Sequence, residues 1–147
     1  MYYYNISRHY FGAGNFKKSL EYINKVLNDN EANLRQDIFV FARLFNLMIH
    51  YELRNFDLLD YLIKSTARFI KKKNCDYAFE TTILNYLKNA VKAEQSRQDV
   101  KPVIIEFREE MKRVNENPDQ KVTLEFFDVL GWLKEKTADS AMNKKVD

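Results

Sequence analysis
Apolar residues recur along most of this chain at the three- and four-residue spacing of a helix, and the densest run is residues 37–53, DIFVFARLFNLMIHYEL. Its apolar side chains point in nearly every direction around a helix, which predicts a central helix covered by neighbours on several sides. At roughly 100° per residue, Arg43, Asn46 and His50 fall on one narrow polar stripe of that helix. Buried polar groups require hydrogen-bond partners, which adjacent helices or a ligand must supply. The pattern leaves both alternatives open: a buried network reaching Tyr22, Tyr61 or Thr66, or a recognition stripe for a carboxylate or peptide backbone.

The remaining runs follow the same period. A first helix over 2–11 ends at Gly12-Ala13-Gly14, and Asn15 stands where a cap belongs. A second helix over 16–28 keeps Phe16, Leu20, Ile23 and Leu27 on one side and turns Lys17, Lys18, Glu21, Asn24 and Lys25 outward. Asn55-Phe56 repeats the Asn15-Phe16 pair, and Leu20-Glu21-Tyr22-Ile23 finds its counterpart in Leu59-Asp60-Tyr61-Leu62, so a helix over 56–73 repeats the second. Such a repeat predicts stacked helical hairpins. A third hairpin is expected over 76–114, its second helix carrying Val103, Ile104, Phe107 and Met111 on one stripe, with Asp99 as a cap and Pro102 in the first turn. Thr123 is placed to cap a seventh helix, 123–137, apolar at Phe126, Val129, Leu130, Trp132 and Leu133, and 138–147 is a polar tail. The expected fold is all-α, a short right-handed α-solenoid of three hairpins (2–28, 37–73, 76–114) plus a C-terminal capping helix, in one domain over 1–137.

At Tyr3, Ile6, Ser7, Tyr10, Gly14, Ser19, Ile23 and Val26 the first hairpin resembles a tetratricopeptide repeat. That family's pattern has Gly and Ala where this chain has Ser7 and Ser19, and an aromatic and Ala where it has Ile23 and Val26. In the same register the second hairpin places Arg43, Asn46, Leu47, His50, Arg54, Leu59, Ile63 and Thr66. The resemblance covers about half the chain and implies an interaction scaffold whose first helices line a concave groove; it implies no reaction. In that register Arg43, Asn46 and His50 put polar groups at packing places; taken with the polar stripe, the expected partner-binding residues are Tyr4, Arg8, Phe11, Arg43, Asn46, His50 and Tyr51, with Tyr4, Phe11 and Tyr51 as exposed anchors for a protein or peptide. The paired Lys and Asn positions that grip a C-terminal carboxylate in some members hold Tyr4 and Arg8, then Leu44 and Met48, so that clamp is not present as a set.

Composition narrows the function classes. Three glycines and two prolines in 147 residues suit helices better than strands and tight turns. A formal net charge of +3 does not force a nucleic-acid or membrane partner, and the apolar run at 38–45 is broken by Arg43 short of a membrane span. One cysteine, Cys75, suits a reducing compartment, and no secretory signal opens the chain, so a cytoplasmic protein is expected. His9 and His50 have no metal-ligand spacing, Gly12 and Gly14 lack the Lys-Ser or Lys-Thr of a phosphate loop, and Glu109 and Glu110 are neighbours rather than a facing pair. No reaction, metal or cofactor is therefore expected. Two further surfaces stand out. Arg54, Lys64, Arg68 and Lys71 to Lys73 form the basic surface of an alternative, nucleic-acid-binding reading. Tyr2, Tyr3, Ile6 and Tyr10 are too bulky a set for one short helix to bury on its neighbour, which predicts an edge that meets upstream repeats or a second copy of the chain. Base stacking on these tyrosines is disfavoured because only Arg8 is near them in sequence.

Overall fold
A computed structural model of the chain describes residues 2–28, 36–75, 77–117 and 132, the side chains of 36 and 37 excepted. Among the described residues the structure is helical, without strands: α1 is Tyr2–Gly12, α2 Phe16–Leu27, α3 Gln36–Glu52, α4 Phe56–Lys72, α5 Ala78–Gln95 and α6 Lys101–Asn115. These ends lie within a residue or two of those expected. None of these helices is long and apolar enough to cross a membrane. The chain divides into two compact units, Met1–Asp76 and Tyr77–Asp147, and the division falls between the second and third expected hairpins.

In the first unit each helix packs on the next, α1 on α2, α2 on α3 and α3 on α4. The all-round apolarity of α3 explains this, since Leu44, Leu47, Met48 and Ile49 are at most 1% exposed and one neighbour alone would leave some of them wet. From α1, Tyr4 and Phe11 both reach Phe45, with ring centres 5.9 and 5.0 Å away. From α4, Leu59, Ile63, Thr66 and Ile70 recur at helical spacing and are buried. Where α1 meets α2, the Ser7 hydroxyl donates to the Ser19 carbonyl at 2.7 Å and the Ser19 hydroxyl donates to the Ser7 carbonyl at 2.8 Å. Small residues let the two backbones approach there, and the hydroxyls satisfy each other's helix in a site with no solvent exposure.

Four helix ends close in the same way. Gly14, Arg54, Asn74 and Arg97 have φ of 79°, 60°, 55° and 57°, the left-handed region. In each case this residue's N–H reaches the carbonyl three back and the next N–H reaches five back, as in Gly14 to Phe11 at 3.0 Å and Asn15 to Tyr10 at 2.9 Å. These are Schellman closures, which satisfy carbonyls that the helix end would otherwise strand. The two Asn-Phe pairs are the sequence mark of two such closures. Asn15 also caps α2, its Oδ1 accepting from the Lys18 N–H at 3.2 Å. Asn55 makes no such cap.

The second unit is built on the α5–α6 hairpin. Phe79, Ile83, Tyr86, Leu87 and Ala90 of α5 are buried, as are Ile104, Phe107 and Met111 of α6. Tyr86 stacks on Phe107 with ring centres 4.1 Å apart and planes 9° apart, and Trp132 meets Tyr86 edge-on at 5.9 Å. The Asp99 carboxylate accepts from the Lys101 N–H at 3.0 Å, but from one residue outside the expected place: the cap of α6 is Val100, which makes no side-chain cap bond. The expected capping helix and the polar tail lie outside the described residues except for Trp132, which is helical and buried.

Candidate interaction surfaces
The polar stripe of α3 forms as the periodicity requires, and it is turned into the unit. The Arg43 guanidinium lies 4.1 Å from the centre of the Phe69 ring and 5.5 Å from that of Phe39, a cation held between aromatic faces. Burial lowers its pKa from the ordinary arginine value, and its Nε is buried without a hydrogen-bond partner among the described residues. Asn46, only 8% exposed, has an Oδ1 in the same condition. At the end of the stripe Asn55 Nδ2 lies 3.2 Å from His50 Nδ1. An amide nitrogen only donates, so Nδ1 accepts and the neutral ring carries its proton on Nε2. Burial pushes the His50 pKa below its ordinary value. Tyr22 and Tyr61, weighed as network partners, lie elsewhere: Tyr61 is 62% exposed and the Tyr22 ring packs on Tyr10.

The groove expectation is corrected by burial. Tyr4, Asn46, His50 and Tyr51 are buried, and Arg8, Phe11 and Arg43 are partly buried. Tyr4 and Tyr51 are therefore not exposed anchors. The physical reason is the two-sided cover of α3, together with the convergence of Tyr4 and Phe11 on Phe45. Burial pushes the Tyr4 phenol up to about 12, with Arg8 opposing the shift.

An open aromatic surface of the first unit is instead the outer side of α1 and α2. Tyr2 is 73% and Tyr3 43% exposed, with Ile6 and Tyr10 part-exposed beside them. Here α2 contributes what the sequence reading had only turned outward. Tyr22 lies between Tyr3 and Tyr10 of α1, its ring centre 6.2 Å from Tyr3 and 5.7 Å from Tyr10, with planes 30° and 13° apart. The Lys25 ammonium stands 5.3 Å from the Tyr3 ring centre and 4.9 Å from that of Tyr22. Lys18, Tyr22 and Lys25 share one side of α2 at helical spacing, a signal that marked this stripe without showing what it would meet.

Two members of the basic surface on α4 are already engaged. The Arg54 guanidinium lies 5.0 Å from the Phe56 ring centre, and Lys64 pairs with Asp60 at 3.4 Å. Arg68, Lys71, Lys72 and Lys73 are exposed. In the second unit a half-open cleft of about 250 Å³ lies between α5 and α6, walled by Thr82, Asn85, Asn89, Glu106 and Glu110 over the Tyr86–Phe107 stack. Its polar groups come from two helices, so no spacing within either announces it. Comparison with protein-family models, with curated proteins and with solved structures finds no match for this chain.

Proposed function
We propose that the chain is a non-catalytic helical-repeat interaction module, a short right-handed α-solenoid of the tetratricopeptide type, which binds a protein or peptide through the outer face of its first hairpin. The observation that carries the reading is the row Tyr3, Tyr22 and Tyr10 with Tyr2 exposed at its end. Tyrosine is enriched at binding hot spots because it brings a large apolar body with a hydroxyl at little conformational cost. The repeat reading is supported by the matched Schellman closures at Gly14 and Arg54, 40 residues apart, and by the next-neighbour packing of α1 to α4. A second copy docking through the same face would bring Lys25 without a free carboxylate to meet it, because Glu21, the one carboxylate within 2–28, pairs with Lys18 at 3.5 Å. In the nucleic-acid reading through α4, Lys64 is paired with Asp60, and the exposed cations are Arg68 and Lys71 to Lys73. The test pans a displayed random-peptide library against the full chain and against the Tyr2→Ser, Tyr3→Ser double variant, both substitutions being at exposed positions. Peptides enriched by the parent and lost with the variant are expected. No enrichment, or enrichment that ignores the variant, overturns the reading.

A further inference from the structure
We infer, resting on the interaction reading above, that the partner of this face is an acidic peptide segment whose carboxylates meet Lys25 and the phenol hydroxyls of the tyrosine row. The first argument is charge. Within 2–28 there are four cations, Arg8, Lys17, Lys18 and Lys25, and one carboxylate, Glu21, an excess of three. The whole chain has a formal net charge of +3, and the rest of it sums to zero. α1 contains no acidic residue at all. The second argument is donor chemistry. Tyr3 and Tyr22, the two rings beside the Lys25 ammonium, offer O–H donors, and donors next to a cation match carboxylate oxygens through charge-assisted hydrogen bonds. The third argument separates a protein carboxylate from a nucleic acid. Among the described residues Lys25 is the cation over the rings of the row; Lys18 is drawn to Glu21, and Arg8, part-buried, acts on the buried Tyr4. A nucleic-acid groove needs a line of cations along the backbone, whereas an acidic segment needs one or two beside apolar contact.

The experiment measures fluorescence anisotropy of the full-length chain with three labelled probes: a Glu/Tyr-rich peptide, its Lys/Tyr-rich counterpart, and oligo(dT). Binding of the Glu/Tyr-rich peptide alone is expected, weakening as salt is added. Lys25→Gln should weaken it about fivefold, the scale of a partly exposed charge contact. Lys71→Gln with Lys72→Gln on α4 should leave it unchanged, and circular dichroism should show all variants folded. Equal binding of the Lys/Tyr-rich peptide, tighter binding of oligo(dT), an equal loss from the α4 variant, or no binding of the acidic probe at low salt would each overturn the inference. If the acidic probe fails while Tyr2→Ser, Tyr3→Ser still abolishes peptide enrichment, the interaction module stands and only its acidic partner falls.

Discussion
Asn46 and Leu47 are adjacent on α3 and both buried, yet they should respond oppositely to substitution. The Asn46 carbonyl oxygen is buried without a donor among the described residues, and stranding such a group costs about 1 to 3 kcal/mol. Asn46→Leu should therefore raise stability by about 1 kcal/mol in urea denaturation, and a clear loss would show that the amide is satisfied. Leu47, with no exposure, should lose about 2 to 5 kcal/mol on replacement by Ala because a cavity is left. His50 supplies a pH dependence. Its folded pKa is held below the ordinary 6.5 by burial, so the unfolded chain takes up the proton first. Stability from this group is complete above about pH 6.5 and is lost as pH falls from there to the folded value. His50→Gln should flatten that part of a plot of urea midpoint against pH; an unchanged slope would mean that the ring is not the source.

The hairpins themselves were legible because their signals are local. Gly12-Ala13-Gly14, the two Asn-Phe pairs, Asp99 and the stripe on α6 each act within a turn or two of where they stand. The left-handed residues Arg54 and Arg97 were not legible in themselves, since neither is Gly or Asn; the stranded helix-end carbonyls impose the conformation, and the side chain tolerates it. Arg97→Gly should consequently stabilise the chain by up to about 1 kcal/mol, while Gly14→Ala should cost about 1 kcal/mol. An added Cβ at Gly14 would meet no atom within 4 Å, so that cost is backbone strain alone, and thermal melts of the two variants should move in opposite directions. Contacts between helices were the least legible. Burial of Tyr4 and Tyr51 follows from what covers α3, and the meeting of Lys25 with Tyr3 depends on how α2 lies along α1, neither of which the helical period fixes.

At the scale of the whole molecule, the boundary at Asp76 and Tyr77 predicts separable folding. A chain ending at Asp76 should keep the helical circular dichroism of α1 to α4, and its collapse to a random-coil spectrum would refute the independence of the first unit. The edge-on contact of Trp132 with Tyr86 has a consequence for how such folding can be watched. It is the one tryptophan in the sequence, buried in the second unit, and the first unit contains none. The chain thus carries a built-in optical label. Tryptophan emission follows the aromatic cluster of α5 and α6 alone, whereas far-ultraviolet ellipticity sums every helix, so independent melting should appear as two steps in ellipticity and one in emission.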